Sequence, residues 1–409
     1  MTDDAATPTA AAPPARGLGW YMAGQGTWFA GLGIQLVLFA WLVTVVLDQP
    51  ADRVGLAQMA MMLPSLAFML IGGGVADRGD LRRLLLRYHL VAAVPPLVLA
   101  WLVGTDRLTY ALLIGYGVAM GTLGAFVIPA RDALLHRVAE GTIQRGVMLA
   151  TMGQFIGQLV GMVIAGFAAL VGAPALMVLH AVLILTGAAA LFRLAPAPPL
   201  NVNNVTGWRA IRDGVTVAFG DAALRPAVLS VFAVGFCFVG SYLVVLPLTV
   251  RDSFAGGATE LAIVNVAFWA GTILTTVALL RRGGVARPGR AMLAAMAGGV
   301  GVLAAMALPL NFVGFAALCF VWGIGGGVVM TMGRTIMQTE APADYRARVM
   351  ALYQLALMGA APVGALLMGL IVAAVGVRLA PLAPAALMAL IVAVLVLATP
   401  MWRYRLAHS

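Results

Sequence analysis

Twelve long apolar stretches recur along this chain of 409 residues, and they constrain its fold more than any other feature of the sequence. A bilayer core about 30 Å thick is crossed by roughly 20 residues of helix, and each stretch approaches or exceeds that length. Lipid offers the backbone no hydrogen-bond partners, so a crossing segment of this kind has to be helical. Because 62% of the residues are hydrophobic and only 10% are charged, a soluble protein of this size is excluded. The sequence therefore predicts an all-α membrane protein with twelve transmembrane helices, at residues 20–47, 54–75, 88–104, 109–129, 147–171, 174–192, 226–249, 260–280, 290–308, 312–333, 349–375 and 382–401.

Every basic residue of the chain is an arginine, and the 25 arginines are unevenly divided between the two ends of the predicted bundle. With the N-terminus placed in the cytoplasm, 21 of them fall on the cytoplasmic side and four on the other side. Arginine-rich loops stay in the cytoplasm, so the bias predicts that both termini are cytoplasmic. It also accounts for the formal charge of +10 without a nucleic-acid partner. We name the two ends the arginine-rich end and the arginine-poor end; the latter holds Arg53, Arg107, Arg251 and Arg378.

The longest loop, residues 193–225, divides the predicted helices six and six. It opens with a proline-rich run and contains an amphipathic helix over 208–219, which is expected to lie at the membrane surface. The residues before the first apolar stretch lack the basic segment of a cleaved signal, so that stretch is expected to be a retained helix. The predicted order is a flexible cytoplasmic tail (1–16), an N-terminal six-helix half (17–192), a cytoplasmic linker (193–225), a C-terminal six-helix half (226–402) and a second cytoplasmic tail (403–409).

The charged loop between the second and third stretches, residues 72–83, carries the most specific motif of the chain. It resembles the loop between helices 2 and 3 of major facilitator superfamily transporters, with the matching residues Gly73, Asp77, Arg78, Arg82 and Arg83. The resemblance implies the major facilitator fold, in which two six-helix halves are related by pseudo-symmetry. It also implies that Asp77 latches the two halves as a conformational gate. The alternative is a positive-inside loop with one acid for local neutralisation.

The two halves of the sequence repeat each other weakly. Residues 73–80 align with residues 283–290 at an offset of 210, which sets Arg287 opposite Asp77. A looser echo sets Arg131, before the fifth stretch, against Arg334, before the eleventh. Internal duplication predicts such matches, and chance similarity in loops rich in Gly and Arg is the alternative. The second-half counterpart of the gate is predicted to involve Arg287, Arg346 and Arg348.

Three features are similar to one branch of the family, which contains the enterobactin exporter and drug–proton antiporters. They are residues 129–131 (Pro-Ala-Arg), residues 337–349, and Asp80, where many family members have glycine. The likeness implies export in exchange for protons across a bacterial inner membrane.

A glycine-rich face of the fifth stretch gives weaker support for membership of the exporter and antiporter branch. Gly153, Gly157 and Gly161 are spaced by four, which allows another helix to approach closely. They resemble a motif of antiporters, but Gln158 stands where that motif has proline. Plain helix packing and a functional hinge both remain open.

Polar and aromatic side chains at membrane depth are candidates for lining a substrate cavity. Gln154 and Gln158 share one helix face, and Asn265 and Trp269 share another, because each pair is spaced by four. Helix packing explains each residue taken singly, whereas a cavity that combines amides and aromatic rings would suit an amphipathic cargo. The full candidate set is Gln25, Gln35, Gln154, Gln158, Tyr242, Asn265, Trp269, Tyr353 and Gln354.

Groups that could carry protons are scarce. None of the 15 acids lies in the middle of a predicted span, although intramembrane carboxylates are the usual proton carriers. Glu260 and Asp48 remain at span ends, and His180 is the only histidine inside a predicted span. A packing role for His180 is the alternative to titration.

These features predict a secondary active transporter that exports a small amphipathic molecule, such as a drug, siderophore or lipid-like compound, by alternating access coupled to protons. An importer, an uncoupled facilitator and a non-transporting membrane assembly protein stay open as alternatives. The chain has no lysine and no phosphate-binding loop, so an enzyme or direct ATP drive is not expected. Cys237 and Cys319 lie in apolar runs and are expected to be core residues, so no metal or cofactor is predicted. The expected partners are the cargo, the lipid bilayer and protons, and the expected state is a monomer.

Overall fold

The computed structural model describes residues 16–139, 143–198, 208–282 and 285–404. Within these ranges the regular structure is entirely helical, which confirms the predicted all-α class. Most of both predicted tails, the asparagine-rich part of the linker and Gly283-Gly284 of the sequence echo lie outside the described residues. The α-helices of the described ranges are α1 (Arg16–Trp41), α2 (Ala51–Arg78), α3 (Leu81–Ala92), α4 (Val94–Gly104), α5 (Tyr110–Val138), α6 (Ile143–Ala165), α7 (Ala168–Val171), α8 (Ala173–Phe192), α9 (Trp208–Gly220), α10 (Leu224–Ala233), α11 (Gly240–Phe254), α12 (Ala258–Arg281), α13 (Pro288–Ala305), α14 (Phe312–Glu340), α15 (Arg346–Val375) and α16 (Leu382–Ala398).

Short irregular helices join or extend several of these elements. A π-helical turn, Leu42–Val46, continues α1, and a second one, Val234–Val239, joins α10 to α11. Single 3₁₀ turns, Ala343–Tyr345 and Pro400–Trp402, precede α15 and follow α16. The two π turns therefore lie in the first span of each predicted half.

Ten spans among the described residues are long and apolar enough to cross a membrane. The bent helix α2 makes an eleventh when Ala51–Met69 and Ile71–Arg78 count as one span. Leu382–Ala398 is apolar but has only 17 residues. The chain is a multi-pass membrane protein, and the number twelve stays a prediction.

The third span begins earlier than the sequence predicts. The structure has it from Leu81 to Gly104, across α3 and α4, whereas the apolar stretch begins at residue 88. Arg82, Arg83 and Arg87 therefore lie on the first two turns of the helix. Long basic side chains reach the headgroup layer from such positions, so a charge does not mark the end of the helix.

Each half packs its spans in the same two pairs. In the N-terminal half α1 packs on α6 and α2 packs on α5; in the C-terminal half the α10–α11 segment packs on α15 and α12 packs on α14. These pairs join the first span to the fifth and the second to the fourth in each half. The repeated pairing is the internal pseudo-symmetry that two related six-helix halves require.

Glycines allow these helix pairs to touch through their backbones. A Cβ atom added at Gly157 in α6 would lie 2.5 Å from the carbonyl oxygen of Gly26 in α1. In the equivalent helix pair of the second half, an added Cβ at Gly240 in α11 would lie 2.5 Å from the carbonyl carbon of Gly364 in α15. Without hydrophobic attraction between helices in lipid, this close packing supplies much of the adhesion within each half.

The two halves meet closely at the arginine-poor end. An added Cβ at Gly55 in α2 would lie 2.6 Å from the carbonyl oxygen of Ala365 in α15. Arg251 in α11 bonds to the N-terminal half, and Thr259 Oγ1 in α12 donates to Gly166 O at 2.6 Å. Within the described ranges, every hydrogen bond that joins the two halves lies at this end.

We expect Gly157→Ala to destabilise the protein, because its methyl group needs the space held by the Gly26 carbonyl. Overpacking of this kind costs about 1–3 kcal/mol, so the melting temperature in detergent should fall. Gly115→Ala in α5 is the matched control, since an added Cβ there meets no atom within 4 Å. Equal melting temperatures for the two variants would contradict the packing of α1 on α6.

Candidate functional site

Arg251 ties the last turn of α11 to the end of the first span. Its Nη1 donates to Gln49 O at 2.7 Å, to Thr44 O at 3.1 Å and to Asp48 Oδ1 at 3.4 Å. The two carbonyls lie where the first span ends, and a helix C-terminus leaves such groups unpaired and carries partial negative charge. The Asp48 side chain is 85% exposed, so its ion pair adds little. This Arg251 contact is thus held mainly by main-chain oxygens of the other half.

Three of the predicted cavity residues form one hydrogen-bonded group, the Tyr242 cluster. Trp269 Nε1 donates to Tyr242 Oη at 3.1 Å, Tyr242 Oη donates to Asn265 Oδ1, and Asn265 Nδ2 donates to Leu261 O at 2.7 Å. The spacing of Asn265 and Trp269 along α12 puts both on the face that meets α11, which carries Tyr242. The cluster is consequently a fixed polar strip inside the C-terminal half.

Aromatic rings surround the Tyr242 cluster and extend it to the other half. The Tyr242 ring lies 4.7 Å from that of Phe268 and 6.2 Å from that of Trp322, measured between centroids. Trp269 is half-buried and faces Phe155 of α6 across the seam, with centroids 6.0 Å apart. The cluster therefore offers aromatic surface and hydrogen-bonding groups beside the seam.

The predicted glutamines do not join this cluster through any hydrogen bond of the described residues. Gln25 is buried and satisfied at both ends, since Oε1 accepts from Tyr21 Oη at 2.7 Å and Nε2 donates to Ala150 O at 2.7 Å. It therefore clips α1 to α6. Gln35 Nε2 donates to Met61 Sδ at 3.4 Å, and its buried Oε1 has no partner among the described residues.

The other predicted cavity residues differ in exposure. Gln154 and Gln158 are half-buried on α6, and Gln354 is exposed on α15. Tyr353 is buried, and its hydroxyl donates to Met330 O at 3.2 Å. Tyr353 thus joins α15 to α14, whereas the three glutamines have free amides to offer a ligand.

The predicted gate is not latched in this structure. Asp77, Arg78 and Arg83 are exposed, and Asp77 forms no ion pair with any described residue. Arg82 is engaged within its own half, where Nη2 donates to Phe192 O at 2.6 Å and the guanidinium lies 5.1 Å from the Phe192 ring. The gating role of Asp77 therefore stays a prediction.

The remainder of the charged loop has local roles. Asp80 caps α3, because its Oδ1 accepts from the backbone N–H of Arg83 at 2.9 Å. The sequence signal for this cap was an aspartate directly before a helix start, a position it favours. Gly73 lies in α2 with no neighbouring atom within 4 Å of an added Cβ.

The predicted second-half gate is also open. Arg348 Nη1 pairs with Asp213 Oδ2 of α9 at 3.2 Å, which fastens the linker helix to the start of α15. Arg346 is exposed, and Arg287 is half-buried just before α13. In the described residues neither of these two forms an ion pair.

The chain end after α16 is fastened at the arginine-rich end. The Tyr404 hydroxyl donates to Glu340 Oε1, at the end of α14. Burial raises the pKa of Tyr404, and the neighbouring Glu340 carboxylate raises it further. The hydroxyl thus keeps its proton and its bond across the physiological pH range.

The three predicted proton carriers lie apart. Glu260 Oε2 accepts from Gly257 N at 2.7 Å and so caps α12, and Asp48 belongs to the Arg251 contact. His180 is buried in α8, where its ring fills the space over Gly31 of α1, and its Nδ1 has no partner among the described residues. No described hydrogen bond connects any two of them, so a proton path is still unassigned.

His180 is not the only histidine inside a span, which corrects the sequence analysis. His89 lies within Leu81–Gly104, is buried, and its Nδ1 lies 2.8 Å from Leu85 O. His89 is already the second residue of the predicted stretch 88–104, but it was assigned to the edge of the membrane because of its place at the start of that stretch; the structure begins the span at Leu81 and so sets His89 well inside it.

Arg131 is a functional candidate that the sequence did not reveal. In the sequence it contributed only to the resemblance to one branch of the family and to the internal repeat. It lies in α5 and is buried, with its guanidinium carbon 4.5 Å from the Phe29 ring and 5.8 Å from the Trp28 ring. No signal in the sequence singles it out, because the predicted fourth stretch ends at residue 129, whereas α5 continues to Val138. Buried charges within a membrane helix are rare and commonly functional.

Comparison with family models identifies the fold by sequence. The model described as Major Facilitator Superfamily matches residues 24–363. The chain belongs to the Major Facilitator Superfamily. Comparison with curated proteins finds no matching sequence.

Solved transporters of this superfamily share the fold. A point mutant of the nucleoside transporter NupG superposes with a TM-score of 0.75 at 13% identity, covering 93% of this chain and 99% of that chain. A bacterial homologue of the human lysosomal transporter Spinster, in an inward-facing and unoccupied conformation, gives 0.66 at 15% identity, covering 96% and 97%. An auto-inhibited peptide transporter of the POT family gives 0.69 at 13% identity, covering 96% and 98%. Family and neighbours indicate a transporter, and these identities show the fold alone.

We expect Tyr242→Phe to destabilise this superfamily member, because it leaves Trp269 Nε1 and Asn265 Oδ1 without partners. Unpaired buried polar groups cost about 1–3 kcal/mol each, so thermal unfolding in detergent should shift to lower temperature. Tyr116→Phe is the matched control, because the buried Tyr116 hydroxyl has no partner among the described residues. A smaller loss for Tyr242→Phe than for Tyr116→Phe would refute the Tyr242 cluster.

Proposed function

We propose that the protein is a secondary active transporter that exports a small amphipathic molecule by alternating access, in exchange for protons. The observation that carries this proposal is the one-sided fastening of the halves. Every hydrogen bond between described residues of the two halves lies at the arginine-poor end. Alternating access needs one end closed while the other is open, and a closure that can be undone.

The composition of the Arg251 contact suits a reversible closure. The Arg251 side chain is 22% exposed, and it bonds to two carbonyls and one exposed carboxylate. Water can replace such partners when the halves separate, so opening needs no buried charge to be stranded. Within each half, glycine-mediated backbone contacts join neighbouring helices, which favours movement of the half as a rigid body.

The residues beside the seam support an amphipathic cargo. Trp269 and Phe155 present aromatic surface, and the half-buried Gln154 and Gln158 present amide groups. A binding site that is mainly apolar with a few polar groups selects molecules with both characters.

The charge bias supports the orientation of the proposal. With the arginine-rich end in the cytoplasm, both termini are cytoplasmic and the described conformation is closed toward the far side. Cargo would load from the cytoplasm of a bacterial cell, as an exporter in the inner membrane requires. We further propose that Asp77 latches the arginine-rich end in the opposite state and that the protein acts as a monomer.

An uncoupled facilitator, or an importer, is the second candidate. Glu260 caps α12 and Asp48 contacts Arg251, so both have structural roles that need no titration. A membrane assembly protein that transports nothing is the third reading. Flux measurements separate all three.

We expect Arg251→Gln to open the arginine-poor end, because a neutral amide cannot replace three guanidinium contacts. The open population should rise roughly tenfold, the factor that about 1.4 kcal/mol produces. Spin labels at cysteines replacing Leu170 and Leu308, with Cys237 and Cys319 changed to alanine, report the opening as a longer distance.

The matched control for that variant is Arg378→Gln. Arg378 is an arginine at the same end, and its Nε donates to Ala307 O within its own half at 2.9 Å. Identical label distances in the Arg251 and Arg378 variants would argue against one-sided closure and against the transport cycle built on it.

We expect Glu260→Gln to reduce export driven by a pH gradient in proteoliposomes while leaving α12 capped. A glutamine oxygen can still accept from Gly257 N, so the variant removes the titration and keeps the cap. Flux of fluorescent dyes and siderophores should fall toward the level without a gradient. Equal gradient dependence in variant and wild type would remove Glu260 from proton coupling, and no flux in either direction would favour the assembly role.

A further inference from the structure

Arg131 is a buried cation whose hydrogen-bonding capacity is largely unused. Its side chain lies in α5 with 4% of the residue exposed, and neither Nε nor Nη1 has a partner among the described residues. Trp28 of α1 is 2% exposed, and its Nε1 also has no described partner. The guanidinium carbon lies 5.8 Å from the Trp28 ring centre. Three unpaired N–H donor groups are therefore gathered in one place.

The burial of Arg131 is not forced by its position in the helix. Arg131 lies seven residues before α5 ends at Val138, and an arginine side chain there could extend to the headgroup layer. Instead it lies against Phe29, with the guanidinium carbon 4.5 Å from the ring centre. A ring face attracts the cation but leaves the in-plane N–H groups free to donate.

No acid of the described chain forms an ion pair with this cation. The ion pairs found among the described residues involve Arg251 and Arg348 only. Asp132, next in sequence, is exposed and lies in the field of Arg131 and also in that of Arg334 from α14 of the other half, without an ion pair to either. The field of Arg334 at Asp132 shows that this part of α5 lies near the other half at the arginine-rich end, where no hydrogen bond joins the described parts of the halves.

The chemistry of the donors selects one kind of ligand. A guanidinium offers two parallel N–H groups that match the two oxygens of a carboxylate, and the indole N–H adds a third donor. The rings of Trp28 and Phe29 lie beside the guanidinium and would adjoin the apolar part of a bound acid. A neutral or cationic group would leave the guanidinium uncompensated, so it would bind poorly.

We propose that Arg131 and Trp28 form an oxyanion site that binds the carboxylate of the transported molecule. The cargo is then an amphipathic acid, which loads from the arginine-rich end. This assignment of the substrate class depends on the proposed function, whereas the oxyanion site itself does not.

The test measures stabilisation of the purified protein in neutral dodecyl maltoside by 4-phenylbutyrate, 4-phenylbutanol and 4-phenylbutylamine. The acid should raise the melting temperature in a saturable manner, and the alcohol and amine should not. Arg131→Lys keeps the charge but loses the planar fork, so affinity for the acid should fall at least tenfold, or about 1.4 kcal/mol.

Trp28→Phe keeps the ring and the cation and removes one donor, so it serves if Arg131 variants do not fold. Its affinity for the acid should fall about threefold to tenfold, in keeping with the loss of one hydrogen bond to a charged group. Trp101→Phe is the matched control, since Trp101 is exposed in α4 and should leave the affinity unchanged.

Several results would overturn the site. They are no stabilisation by the acid, equal stabilisation by acid and alcohol, or equal affinity in the Trp28 and Trp101 variants. Phosphatidylglycerol added to the micelles tests the other source of an oxyanion: if it competes with the acid and binds more tightly, the site holds a lipid headgroup, and the cargo assignment is wrong.

Failure of the site and failure of transport are distinguishable. Acid-selective binding without flux in proteoliposomes would retain the oxyanion site and reject the transport proposal. Flux of neutral or cationic amphiphiles without acid-selective binding would do the reverse.

Discussion

Lipid cannot hydrogen-bond to a peptide group, and this constraint decides what else in the molecule can vary. It forces every crossing segment to satisfy its own backbone, which leaves helices as the only building blocks. Hydrophobic burial then no longer distinguishes one helix neighbour from another, because lipid is as apolar as leucine. Which helices pack together is then decided by how closely their backbones can approach at glycines. Gly157 and Gly240 are examples, and they lie in equivalent helix pairs of the two halves.

The contacts inside a half differ in kind from many of those between the halves. Within a half, glycine contacts and hydrogen-bonded amides such as that of Gln25 join helices that are far apart in sequence. Between the halves, hydrogen bonds of described residues are confined to the arginine-poor end and involve solvent-reachable groups. Gly55 adds close packing at that same end. Two stiff bodies joined at one end form a structure that can rock without repacking its interior.

The fold class followed from the sequence because apolar length is a local property. The start of α3 could not be predicted in the same way. Its first turns carry arginines, which can be solvated by the headgroup layer and so do not mark the end of the helix. The partnership of Asn265 with Trp269 was visible as a spacing of four, whereas their link to Tyr242 needed the packing of α11 on α12. Glu260 and Asp48 were singled out for their charge, but the structure gives each a structural contact: Glu260 caps α12 from its third helical position, and Asp48 pairs with Arg251 from the other half. Arg131 was noticed for its neighbours in sequence, and only its burial reveals the unused donors.

The π turn that extends the first span has an effect beyond local geometry. It places the Thr44 carbonyl within reach of Arg251, next to the left-handed backbone of Asp48. Peptide oxygens do not titrate, and arginine stays charged at every physiological pH. Two of the three partners of Arg251 in the other half are consequently insensitive to acidity, and the third is the exposed Asp48 carboxylate. Because the two carbonyl acceptors are main-chain atoms, they require no particular side chain at Thr44 or Gln49, and the contact depends mainly on Arg251 itself.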